Sequence, residues 1–160
     1  VLSGCSGAMR TIFLVLLAVM HGGCERGLIA KPKASDLVGV YSLSRESREV
    51  WSSGQGYGSL YESEIEVKPD MTLEMRSVPD CIFSGHGISD GRLLTGVAKG
   101  EIAGGSLGYA LDLHISGSGS LPSGVYLRWI LLRPGSPIDL EFTVGDPDQG
   151  QRIRYVRRTG

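Results

Sequence analysis

The chain has 160 residues, 41% of them hydrophobic, with 16 basic against 17 acidic side chains and a formal net charge of −1. That balance does not favour nucleic acid as a partner, and the length suits one domain with one core. Its three cysteines, Cys5, Cys24 and Cys81, are too few for a disulfide scaffold.

Taken in chain order, Val1 to Ala8 lack periodicity and read as lying upstream of an initiator Met9. Arg10 then supplies a positive charge, Ile12 to Met20 form an uninterrupted apolar run, and Gly22 and Gly23 precede Cys24. A charged start, a short apolar core and small residues before a processing point are the layout of a secretory signal peptide. The run is too short to remain as an anchor, since a spanning helix needs about 20 apolar residues.

The stretch Val19-Met20-His21-Gly22-Gly23-Cys24 resembles the lipobox of bacterial lipoproteins, with His21 where that family carries leucine or another aliphatic residue. The resemblance implies a diacylglyceryl group on the Cys24 thiol, cleavage before Cys24 and acylation of the new amino group. Residues 1–23 are then upstream sequence and signal, 24–35 a lipid-attached tether, and 36–160 a β domain. Two or more acyl chains hold a protein stably on a bilayer. The expected location is the bacterial cell envelope, with the domain extracytoplasmic and the membrane reached through Cys24. An ordinary signal peptide with an incidental cysteine is the alternative. Cys5 follows no apolar run and is set aside. Cys81 then stands alone, and a lone cysteine is most often a small buried apolar residue.

From Asp36 onward short alternating runs are separated by Gly, Pro, Ser and Asp clusters, the pattern of an all-β domain. No helix is expected beyond the signal. Gly39 to Ser44 opens the series. In Leu60 to Lys68 the alternation puts Tyr61, Ile65 and Val67 on a core face, with Glu62, Glu64 and Glu66 toward water. Pro69 and Asp70 supply a turn, and Thr72 to Val78 returns. A poorly defined strand follows within Arg92 to Ile102. Tyr109 to Ser116, Val125 to Arg133, Ile138 to Val144 and Arg152 to Arg158 complete about eight strands. In the strand 125–133 both faces are partly apolar, which suggests either a covered strand or an outer patch around Tyr126, Ile130 and Leu132 for a partner.

Eight strands suit a small closed antiparallel barrel, with a β-sandwich as the alternative. Leu37-Val38-Gly39-Val40-Tyr41 resembles the Gly-x-Trp opening of lipocalin-like (calycin) barrels, with Tyr41 in place of tryptophan. In that superfamily an arginine of the last strand packs over the aromatic ring and closes one end. The resemblance places Gly39, Tyr41 and Arg157 in that closure, and a cation over a ring contributes about 0.5–2 kcal/mol.

Candidate chemistry is confined to the loop 79–91, which holds Asp80, Cys81, His86 and Asp90. A thiol, an imidazole and two carboxylates suggest zinc or a Cys–His pair, but the spacing fits no zinc template. The turn Gly145 to Gly150 carries Asp-x-Asp without the further oxygen ligands of a calcium loop and reads as a hairpin. No cofactor or metal is expected. Tyr57 and Leu121, in glycine-rich loops, are the candidates for recognition at a barrel mouth. The expectation is a lipid-anchored binding module for a small apolar ligand or another envelope protein. The competing expectation is a hydrolytic or metal-dependent enzyme on the 80–90 loop.

Overall fold

The computed structural model describes residues 28, 30–54, 57, 60–84, 90–105, 108–122, 129–145 and 151–159. Eight strands form a closed barrel in which each pairs with its neighbours in sequence. They are β1 (Gly39–Leu43), β2 (Glu64–Val67), β3 (Thr72–Pro79), β4 (Leu93–Gly105), β5 (Gly108–His114), β6 (Trp129–Arg133), β7 (Asp139–Thr143) and β8 (Arg152–Arg157). All pairings are antiparallel, and β8 closes the ring on β1 with Tyr41 opposite Arg157 and Leu43 opposite Tyr155. Of the two all-β architectures open to the sequence, the barrel is therefore the one formed.

Alternation decides what the barrel holds. Every strand except β4 sends two or more apolar side chains inward with at most 1% of their surface exposed. β4 sends smaller groups, Leu94 and Ala98 with Gly96 and Gly100 between and beyond them. The room this leaves is taken from outside the strand. The loop after β5 bends over β4, Ser120 N–H donates to Thr95 O at 2.8 Å, and Leu121 enters the core. A Cβ on Gly96 would stand 2.1 Å from Ser118 O and 2.6 Å from Leu121 Cγ, so only glycine permits that approach.

The hairpin expected at Pro69 and Asp70 forms. Asp70 Oδ1 accepts the Thr72 N–H at 3.0 Å and Oδ2 accepts its hydroxyl at 2.7 Å. These bonds, that from Thr72 foremost, and then the Lys99 ammonium hold the Asp70 carboxyl well below the usual carboxylate range. One extra residue bulges β3 between Met75 and Val78, where Ser77 takes a φ of 50°.

Two expectations are corrected. First, a short helix α1 (Ala34–Leu37) and a longer helix α2 (Arg45–Gly54) accompany the barrel. α2 starts at Ser44, whose Oγ accepts the Ser47 N–H at 3.1 Å as a side-chain cap does. It carries few apolar residues and docks mainly by polar contacts: Ser47 Oγ accepts the Arg154 N–H at 3.0 Å, and Trp51 Nε1 donates to Arg152 O at 3.3 Å. Second, β2 begins only at Glu64, and Tyr61 lies in a turn before it with 75% of its surface exposed. Ser63 takes the inward place instead, bonded through its hydroxyl to Tyr155 OH at 2.7 Å. Of the stretch 24–35, residues 28 and 30–35 are described. Leu28 packs against the core, Pro32 is buried, and Leu37 is wholly enclosed, because the open end of a barrel needs cover.

Candidate functional site

The barrel has two unlike ends. At the end where β1 starts, α1 lies across the opening and is held from both sides of the closing seam. Tyr41 OH donates to Leu37 O at 2.8 Å, and Arg157 Nη1 donates to Asp36 O at 3.2 Å. Gly39, with φ 152°, lets the arginine lie against the backbone: a Cβ there would be 2.6 Å from Arg157 Nε. Burial pushes the Tyr41 phenol up to about 12, the nearby Arg157 charge acting in the opposite sense. Gly39, Tyr41 and Arg157 thus meet at one end of the barrel, joined through α1. The cation found over a ring among the described residues is another one, Arg48, 5.4 Å from the centre of the Tyr61 ring.

Leu28 reinforces the same end. Continuing the β5–β6 register from Ala110 opposite Leu131 would set Tyr109 against Leu132. Both bond Leu28 instead: its N–H donates to Leu132 O and its carbonyl accepts the Tyr109 N–H, each at 3.2 Å. Leu28 is therefore stitched into the barrel wall.

At the other end α2, the 3₁₀ turn Asp80–Phe83 and the loop through Leu121 cover the core. Outside them Arg45, Arg48, Glu49, Ser52 and Tyr61 line a shallow cleft of about 440 Å³. Tyr61 and Val50, 64% exposed, are the large apolar side chains that stand furthest into solvent among the described residues. Tyr57 and Leu121, expected at the mouth, are instead 3% and 5% exposed and belong to the cover.

The loop with the candidate chemistry has its described groups committed to holding it. Asp80 Oδ1 accepts the Tyr57 hydroxyl at 2.6 Å, and Oδ2 accepts the Asp90 N–H at 3.0 Å. The Tyr57 oxygen accepts the Cys81 N–H at 3.3 Å. Cys81 itself is wholly buried, and Asp90 pairs with Arg92 at 2.7 Å. His86 lies outside the described residues, as do Cys24, Met9, Tyr126 and most of the 145–150 turn. No group of three potential metal ligands occurs among the described residues.

Two surface expectations also change. Ile130 and Leu132 face the interior with no exposed surface, so they form no outer patch; only Leu131 of that strand's described residues is half-buried on the outside. The arginine-rich last strand is largely neutralised in place. Arg152 meets Glu141 at 3.1 Å, Arg154 meets Asp139, and Arg158 meets Glu64 at 2.9 Å. Glu141 also accepts Arg133 at 2.9 Å. Glu64 and Glu66, expected to be solvated, are bridged by Arg76 across β2 and β3. One buried polar atom has no partner among the described residues: Asp112 Oδ1, on a strand position directly opposite Glu101.

The class defined by these features is an up-and-down antiparallel barrel with both ends covered. Set against known proteins, the chain matches no family model, no curated protein and no solved structure.

Proposed function

We propose that the chain is a lipid-anchored envelope protein, of lipocalin-like build, whose barrel is filled and whose binding is done by its outer surface. The observation that carries the second half is the state of the interior. Inward side chains of seven strands expose no more than 1% of their surface. Even the bare face of Gly100 is occupied, with Leu73 Cδ1 2.7 Å from where a Cβ would sit. A pocket for a drug-sized apolar ligand needs about 300 Å³ or more. The described lining offers no such space.

The cleft beside α2 is the surface best suited to a protein partner. Tyrosine and arginine are enriched among the residues that carry binding energy at protein interfaces, and here exposed Tyr61 and Arg45 line one cleft with half-buried Arg48, at the end opposite Leu28. The anchor itself rests on the layout of residues 9–24 and on Cys24 following two glycines. The enzyme reading draws no support from a sealed Cys81 and an Asp80 held by Tyr57 and Asp90.

The test is a photo-crosslinking amino acid placed at Tyr61 in cells that export the full chain, with Val97 on β4 as the control position. A discrete adduct of constant mass at Tyr61 and none at Val97 is expected. Adducts of equal yield at both positions contradict the assignment of the surface.

A further inference from the structure

The stitching of Leu28 into the wall has a geometric consequence for the anchored protein. Only four residues of reach separate Cys24 from Leu28, which fully extended is about 14 Å. Leu28 is bonded between Tyr109 and Leu132, at the end of the barrel that α1 covers. A lipid on Cys24 therefore leaves the domain no slack to turn over. We infer that the α1 end of the barrel is a membrane-facing surface that rests on anionic phospholipid, with the α2 cleft presented away from the bilayer.

The basic side chains nearest the anchor favour the same orientation. Lys31 and Lys33 are exposed between the stitch and α1. Arg157 spends one donor on a backbone carbonyl rather than on a carboxylate. Of the acids at this end, Asp70 pairs with Lys99 and Asp139 with Arg154, Asp36 Oδ2 accepts the Lys33 N–H at 2.8 Å, and Glu101 and Asp112 face each other on β4 and β5, further from Lys31 and Lys33 along the chain. Each basic side chain close to an anionic bilayer raises partition roughly fivefold. Lys31 and Lys33, next to the anchor, therefore press this end onto the headgroups. The tether sets which end faces the lipid, and the lysines set how closely it sits.

The inference rests on the proposed lipid at Cys24, and the experiment separates the two. The full lipidated protein is reconstituted into vesicles of phosphatidylcholine alone or mixed with phosphatidylglycerol, each doped with lipid carrying a headgroup nitroxide. A fluorophore is placed through Ser136→Cys in the β6–β7 turn or through Ser52→Cys on α2, both exposed positions. Cys81 is buried and does not take the label. Quenching several-fold stronger at position 136 than at 52 is expected, with a further rise when phosphatidylglycerol is present. The charge reversal Lys31→Glu with Lys33→Glu should abolish that rise while leaving the contrast between the two ends. Equal quenching at both ends on a protein whose intact mass shows the lipid overturns the orientation. A rise that survives charge reversal overturns the role of the lysines. An unmodified Cys24 in the intact mass overturns the anchor, and the orientation with it.

Discussion

The hydrogen bond between Ser63 and Tyr155 is a direct probe of whether the barrel interior is dry. The two hydroxyls are 2.7 Å apart, Ser63 is 1% exposed and Tyr155 not at all. Burial keeps the Tyr155 phenol protonated far above its ordinary range, offset in part by the bond from Ser63. Tyr155→Phe keeps the ring and its edge contact with Phe142, whose centre is 5.7 Å away, and removes only the oxygen. Ser63 is then left buried without its partner, at a cost of about 1–3 kcal/mol. Ser63→Ala strands the phenol in the same way. Replacing both removes the polar groups together and is nearly neutral. Each single variant should therefore lose about 2 kcal/mol, and the double variant should be no less stable than either. Urea unfolding with unchanged m values measures this, as would a fall in Tm of about 2–4 °C per kcal/mol. Two small, additive losses would show that water or a ligand inside the barrel meets the orphaned hydroxyl, and the filled interior would be refuted.

Other consequences follow from single contacts. Gly96→Ala sets a methyl against Ser118 O and Leu121, and should cost about 1–3 kcal/mol by forcing the loop off β4; a thermal melt reads it, and an unchanged Tm contradicts the packing. Trp51→Ala should lose about 3–5 kcal/mol and release α2 from β8, seen as lost hydrogen-exchange protection over residues 45–54. Tyr41 has its pKa raised in the folded state, so its contribution to stability is complete below the unfolded value near pH 10 and is lost as pH climbs through about 12. Tyr41→Phe should therefore flatten the alkaline decline in urea stability between those values. Asp112→Asn relieves a like-charged pair facing Glu101 and should change stability by no more than about 1 kcal/mol, in the stabilising direction.

Much of the barrel was legible because a period of two is hard to disguise. Leu111, Leu113 and Ile115 are buried and His114 is exposed, as their alternation requires. The turn at Asp70 was equally clear, since its side chain bonds the backbone two residues on. What failed shares one physical cause: positions fixed by polar contacts or by the barrel ends rather than by apolar periodicity. α2 has one large buried apolar residue, Trp51, and its visible signs were a Ser44 cap and the acidic Glu46 in the first turn. Tyr61 continues the alternation of β2 in sequence, yet the chain turns before Glu64, and the inward position beside Tyr155 is taken by Ser63, whose hydroxyl bonds the phenol. In β6 both faces read as apolar, and only the closed topology decides that Ile130 and Leu132 are the inner ones.

The same limit applies to the site. Gly39, Tyr41 and Arg157 stand out in the sequence only through a short resemblance, and the structure gathers them around α1, an element the sequence does not announce. Leu28 was invisible as a wall residue because its role is carried by backbone bonds to Tyr109 and Leu132. Tyr61 and Arg48 gave no signal at all, since an exposed tyrosine two residues ahead of a buried serine looks like a strand position.

The most direct test of a filled barrel with an outer binding surface is native mass spectrometry of the full protein extracted in detergent from the cells that make it, followed by denaturation and analysis of what is released. A filled barrel predicts a mass set by the polypeptide and the lipid proposed on Cys24, with no stoichiometric ligand set free. One apolar molecule released per chain would contradict it and make the interior, not the α2 cleft, the place where this protein binds.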